Sequence, residues 1–148
     1  MSVDRSFVER NRVARERLER VIARLSDDDV RRPLGEGWTV ATSLVHLAFW
    51  DRRADVLLGK WQKEGIRPSP ADTDVINDAV LIQSRLIPPH AAADEAVAAA
   101  RAVDEKLEAL SSEMLAAILE AGSPMRLDRA THRHEHLDEI ERVLDGAG

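Results

Sequence analysis

The chain has 148 residues, no cysteine and a formal net charge of −6. This length suffices for one hydrophobic core, so we expect a single domain over residues 1–148. The lack of cysteine excludes disulfides, thiolate zinc sites and cysteine nucleophiles, and an acidic chain with interspersed charges argues against nucleic acid as a partner. No apolar run approaches the ~20 residues of a membrane span, and residues 1–10 are charged, unlike a signal peptide. We therefore expect a soluble, cytoplasmic protein with no membrane partner.

Apolar residues at helical spacing predict the first two long helices. The first stripe runs from Phe7 to Leu25 and fits a helix of about five turns. A loop with two glycines follows, and Thr39 is placed to cap a second helix. This helix continues through Trp61 toward Gly65.

Prolines mark the limits of a third, shorter helix. Pro68 and Pro70 break the second helix, because neither fits comfortably in a helix interior. A new helix can open at Asp72 or Thr73, and the two prolines before His90 end it. We expect His90 itself to lie in a surface loop.

Three helical segments make up the rest of the chain. The alanine-rich seam over residues 91–110 alternates by four and three, which suits close packing between helices. Residues 113–120 predict a short helical turn, a break follows at 122–124, and the last helix spans about 128–144. Since no stretch shows convincing strand alternation, we predict an all-α protein, a four-helix bundle with a short extra helix in the crossover.

The last helix carries a pair of histidines at metal-ligand spacing. His132 and His136 are four residues apart, so their imidazoles lie one turn apart and can bind one ion. His134 points about 200° away from His132 and cannot share that ion. His46, at the edge of the apolar stripe of the second helix, completes a candidate three-histidine site. Other interpretations remain open. His132 and His136 are then exposed histidines of a charged helix, and His46 is a core histidine with its hydrogen bonds satisfied. Glu139, on the same face as the pair, is a partner of these histidines, a fourth ligand or a simple exposed acid.

Polar residues near this site are candidates for substrate binding. Arg129 and Arg133 stand on the face of the last helix where a closed core would need apolar residues. We infer that the first two turns of this helix border a cleft or another subunit. These two arginines and Arg53 can bind carboxylates bidentately. Asn77, with its neighbour Asp78 in the third helix, is a candidate for orienting the substrate.

Two motifs resemble those of the DinB-like superfamily, which includes mycothiol-dependent maleylpyruvate isomerases and related thiol-dependent transferases. Residues 37–51, GWTVATSLVHLAFWD, resemble its Gly-Trp-Ser and His-Leu signature, and residues 132–140, HRHEHLDEI, resemble its closing His-x3-His helix. The resemblance implies a four-helix bundle of up-down-down-up connectivity that is commonly a homodimer. It also implies a divalent metal, zinc or nickel, held by His46, His132 and His136.

The resulting expectation is a metal-dependent enzyme that acts on a small-molecule substrate. It would activate a low-molecular-weight thiol, such as mycothiol, for transfer to a small electrophile, as a thiol S-transferase or an isomerase-like enzyme. A metal-dependent hydrolase is the variant within this class. The competing hypothesis is a non-enzymatic dimeric helical-bundle stress or interaction protein with adventitious metal or none. Imidazoles near their reference pKa of ~6.5 predict that bound metal is lost as the pH falls through about 6.

Overall fold

The computed structural model describes residues 2–146, and most of these residues are helical. All six predicted helices are present, with ends within a few residues of the expected positions. They are α1 (Ser6–Ala23), α2 (Val40–Glu64), α3 (Thr73–Ser84), α4 (Pro89–Glu108), α5 (Ser112–Glu120) and α6 (Ala130–Leu144). None of these helices is both long and apolar enough to cross a membrane.

Side chains at the helix ends explain where α2 and α3 begin. Thr39 caps α2 as predicted, because its hydroxyl accepts from the Thr42 backbone N–H while the Thr42 hydroxyl accepts from the Thr39 N–H. Asp72 caps α3 by accepting from the backbone N–H of Val75. Gly65 follows α2 with a φ of 91°, a conformation that other residues adopt only at a cost.

The expectation of no strand was wrong for one short hairpin. Strand β1 (Pro33–Gly35) pairs antiparallel with β2 (Trp38–Thr39). Glu36 and Gly37 make the turn with φ values of 54° and 86°, the left-handed pair that matches the twist of two-residue hairpins. Strands of two or three residues are too short to show alternation in a sequence, so the pattern carried no signal.

The long helices bury two main hydrophobic clusters. Helix α2 packs against α4 and α6, and α1 packs against α4 and α6. The alanine seam of α4 is buried as predicted, and its small side chains allow α2 to approach closely. One cluster joins α1, α2, α4 and α6 beside the three predicted histidines, and its buried members include Leu18, Leu44, Leu47, Ala96, Leu137 and Ile140.

Candidate metal centre

Helices α2 and α6 bring the three predicted histidines together. His46 Nε2 lies 2.9 Å from His132 Nε2, across 86 residues of chain. One ring nitrogen from each of His46, His132 and His136 lies within 4.8 Å of the others. The three ring centroids are 4.6 to 4.9 Å apart. The meeting of distant imidazoles that the metal hypothesis requires is therefore present.

The helical faces explain this convergence. On α6, Leu137 and Ile140 are fully buried, and the two histidines lie along the edge of that apolar face. On α2, His46 lies beside buried Leu47, and its exposed fraction is 6%. Trp38 of the hairpin meets the His46 ring edge-on, with 5.5 Å between ring centroids, and so limits how the ring can turn.

The other two histidines lie away from the centre. His134 points off the site as predicted, and its Nδ1 is 2.8 Å from an Arg17 guanidinium nitrogen. His90 lies in the first turn of α4, not in a loop, and it is exposed beside Asp27. Both residues therefore serve as internal controls for metal binding.

Burial keeps the three clustered imidazoles in the form that binds metals. Desolvation, with repulsion from His136, lowers the pKa of His46 to about 4 and that of His132 to about 3. Burial also lowers the pKa of His136, against the opposing effect of Glu139 and Glu135. Protons therefore compete with a metal for these imidazoles less than they would for imidazoles of ordinary pKa. We accordingly expect bound metal to be lost at a pH lower than 6.

The donor set fits a divalent transition metal. Nδ1 of His46 and Nδ1 of His136 are buried without a hydrogen-bond partner among residues 2–146. Neutral imidazole nitrogens are ligands that suit zinc and nickel, and three of them leave further coordination positions open. The Glu139 carboxylate lies 3.8 Å from His136 Nδ1, beyond hydrogen-bonding distance, and it is not one of the clustered donors.

An open cavity of about 890 Å³ lies over the three histidines. Its walls come from the hairpin, α2, α3, the segment before α6, and α6 itself. The volume falls within the range of small-molecule sites, which is roughly 300–1,000 Å³. A metal at the histidines would thus face a space that can hold a small ligand.

Comparison with known proteins decides the family. The family model described as the DinB superfamily matches residues 10–140, a span that includes all three histidines. This chain belongs to the DinB superfamily. No curated protein and no solved structure matches it significantly.

In this DinB superfamily member, the expected substrate contact of Arg133 is wrong. Its side chain is 1% exposed and lies in the core. The guanidinium donates to Asp51 Oδ2 at 3.1 Å, to Asp104 Oδ1 at 2.9 Å and to the Asn11 carbonyl oxygen at 3.0 Å. Arg133 therefore ties α6 to α1, α2 and α4 and has no donor left to reach the cavity.

Arg129 and Arg53 are also occupied by the protein itself. Arg129 borders the cavity, yet its Nε donates to Asp51 Oδ1 at 3.0 Å and another nitrogen donates to the Trp50 carbonyl oxygen. The Arg129 side chain is only 10% exposed. Arg53 lies outside the cavity lining and donates to the Ser69 backbone and hydroxyl oxygens. The structure therefore brings Arg129 to the site and leaves Arg53 away from it.

Asn77 lines the cavity as predicted, and its neighbour Asp78 does not. Sequence reasoning missed the buried acid that organises the arginines. Asp51 stands in the buried row Leu44, Leu47, Asp51, Ala54 and Leu58, which steps by three and four. An acid in that row, among apolar neighbours, is the signal that could have indicated an internal ion pair.

Proposed function

We propose that this DinB superfamily protein is a metal-dependent enzyme in which His46, His132 and His136 hold a divalent cation, zinc or nickel. The observation that carries the proposal is the meeting of three neutral, mostly buried imidazoles at an open cavity. Pockets lined by perturbed titratable groups are the default candidates for active sites.

The proposed reaction is the transfer of a low-molecular-weight thiol, such as mycothiol, to a small electrophile. A bound divalent cation lowers the pKa of a coordinated thiol, so that the reactive thiolate is present near neutral pH. The chain supplies the rest. Burial keeps the imidazoles neutral, Trp38 restrains the His46 ring, and the contact of Arg129 with Asp51 holds the start of α6 against α2.

The proposal extends to the architecture and assembly. We take the chain as one four-helix bundle domain of up-down-down-up connectivity, supported by the mutual packing of α1, α2, α4 and α6. A homodimer is supported by exposed apolar side chains on α3 and in the turn that follows it, since Val75, Ile82 and Leu86 are each more than half exposed. The same exposed face favours the competing function, a non-enzymatic interaction protein.

Elemental analysis of protein purified without a histidine tag separates the two functions. We expect near-stoichiometric zinc or nickel in the wild type and its loss in His46→Ala, His132→Ala and His136→Ala. The matched controls His134→Ala and His90→Ala should keep the metal, because these residues lie away from the cluster. Metal that persists in His46→Ala would contradict the ligand set, provided that circular dichroism shows an unchanged helical fold.

A cobalt-substituted protein tests the thiol. Coordination of sulfur to cobalt gives a near-ultraviolet charge-transfer band, so the addition of mycothiol should produce that band in the wild type. It should not appear in His132→Ala. If cobalt binds and no thiol produces the band, the metal-dependent hydrolase becomes the better description; if no metal binds at all, the interaction protein does.

A further inference from the structure

The indole of Trp50 fixes the orientation of the Asn77 amide. Trp50 Nε1 lies 2.9 Å from Asn77 Oδ1. An indole nitrogen donates hydrogen bonds and cannot accept them, so the amide atom that it meets must be the oxygen. Because the two polar atoms of an amide branch from one carbon, the Asn77 nitrogen is turned away from Trp50.

Trp50 is itself held in place from several sides. The guanidinium carbon of Arg53 lies 5.8 Å from the centroid of the Trp50 ring, a cation–π contact, and Arg53 is anchored in turn on Ser69. Phe49 packs edge-on against the indole, and the Trp50 carbonyl oxygen accepts from Arg129. An amide that bonds to such a restrained indole has one preferred orientation.

The Asn77 amide nitrogen has no partner of its own within residues 2–146, although Asn77 lines the cavity. Thr73, one helical turn earlier on α3, lines the same wall. An amide donor that has no protein partner, on a residue that lines a cavity, can be satisfied by water or by a ligand. The histidines line this cavity too, so a ligand held at them shares one space with the wall formed by α3.

We propose that Asn77 is a specificity-determining residue whose amide nitrogen donates to an acceptor oxygen, a carboxylate or carbonyl, on the non-reacting part of the ligand. The inference rests on the proposed function, because a thiol bound at the histidines anchors the other end of the ligand. Glu36, Glu135 and Glu139 also line the cavity, and none of them has an Arg or Lys partner in the described part of the chain. These three carboxylates offer only acceptors, so a ligand oxygen must meet one of the donors that line the cavity. These donors include Arg126 and the hydroxyls of Ser43 and Thr73, and the Asn77 amide is the one that Trp50 orients.

Asn77→Asp is the sharpest variant, because the carboxylate keeps an acceptor for Trp50 and replaces the donor with a second acceptor. The matched control is Gln83→Glu, which adds the same charge on α3 at an exposed position outside the cavity lining. Asn77→Ala removes the donor without adding charge. Trp50→Phe keeps the Asn77 side chain and an aromatic ring at position 50, and it removes the indole N–H that orients the amide.

The probes are two mercapto acids of different reach, 3-mercaptopropionate and 6-mercaptohexanoate, each compared with its alcohol and its amine analogue. Affinity is measured as the thermal stabilisation of zinc-loaded protein. In Asn77→Asp, we expect the affinity for the better-bound acid to fall about tenfold or more relative to the affinity for its alcohol analogue. The affinity for the amine analogue should rise. Asn77→Ala and Trp50→Phe should lose part of the preference for the acid, whereas Gln83→Glu should behave as the wild type.

An unchanged ratio of acid to alcohol in both Asn77→Asp and Asn77→Ala, for both chain lengths, would overturn the inference. All variants should contain as much zinc as the wild type, which shows that the metal centre is intact. A different result would contradict the proposed function. That result is that no thiol of either length stabilises the zinc-loaded protein more than the metal-free protein, whichever residue occupies position 77.

Discussion

Four buried charges hold the helices together behind the histidines. Asp51 accepts hydrogen bonds from both Arg129 and Arg133, and Asp104 accepts from Arg133 and from Arg15. Burial acts to lower the pKa of Arg133, but the Asp51 and Asp104 carboxylates outweigh it and raise that pKa above its ordinary value. Removing one member would leave an unpaired charge in the core, which costs far more than the intact pair contributes.

Asp51→Ala should therefore destabilise the protein strongly. The substitution leaves the guanidinium of Arg129 buried without a carboxylate partner and strips Arg133 of one of its two. We expect the free energy of unfolding in urea to fall by about 3–5 kcal/mol. The control is Arg12→Ala, which breaks pairs with Glu9 and Glu16 at the surface and should lower the stability far less, because water screens exposed ion pairs. Similar losses for the two variants would show that burial of the ion cluster contributes no special stability.

Spacing in the sequence located the histidines better than it located the arginines. His132 and His136 follow from helical geometry, and His46 follows from its place at the edge of an apolar stripe. The same geometry placed Arg133 on an inward face but could not show what it meets there. Its partners Asp51 and Asp104 are 82 and 29 residues away in the chain, so only the tertiary fold brings them together.

At the scale of elements, the start of α2 positions His46, one of the three histidines of the candidate metal centre. His46 lies within the first two turns of α2, close to the capping box formed by Thr39 and Thr42. The cap satisfies backbone N–H groups that have no partner inside the helix. Fraying of this end would move His46 away from α6, so the stability of the cap and the geometry of the site are linked.

Thr39→Ala should lower the free energy of unfolding by about 1 kcal/mol, because it removes the hydroxyl that accepts from the Thr42 N–H. The matched control is Thr131→Ala, at an exposed position in the first turn of α6, where the side chain makes no hydrogen bond with residues 2–146. Urea unfolding of both variants provides the comparison. If Thr39→Ala loses no more stability than Thr131→Ala, the capping box does not stabilise α2.

The helices were predictable and the hairpin was not, for a physical reason. The long helices bury apolar faces that repeat every three or four residues over several turns, and prolines, glycines or capping residues mark several of the helix ends. The hairpin of Pro33–Gly35 and Trp38–Thr39 has too few residues to show a period of two. The hairpin nevertheless contributes to the candidate site, since it brings Trp38 against the ring of His46.

At the scale of the whole molecule, the buried imidazoles couple folding to pH. The pKa of His46 is lowered to about 4 and that of His132 to about 3 in the folded state, and that of His136 is lowered as well. Unfolding returns each ring toward ~6.5, so below that pH the unfolded chain binds more protons than the folded one. The contribution of these histidines to stability is therefore fully present above about pH 6.5. It is lost as the pH falls toward their pKa values in the folded state.

The metal-free protein should thus lose stability between pH 6.5 and 5, by up to about 1.4 kcal/mol per pH unit for each histidine that stays neutral when folded. The lowered pKa values of Asp4, Asp29, Asp128 and Asp138 act below their ordinary value of 3.8, so these acids contribute little in this window.

His132→Gln isolates the contribution of the most strongly shifted ring. The glutamine cannot titrate in this range. The slope of the free energy of unfolding against pH should therefore decrease by about the contribution of one histidine. Thr131→Ala, the neighbouring exposed position, should keep the wild-type slope. Urea unfolding of metal-free protein at pH 7, 6 and 5 measures all three slopes. An equal slope in the wild type and in His132→Gln would mean that His132 is already free to take up a proton in the folded protein, which contradicts its place in a desolvated cluster.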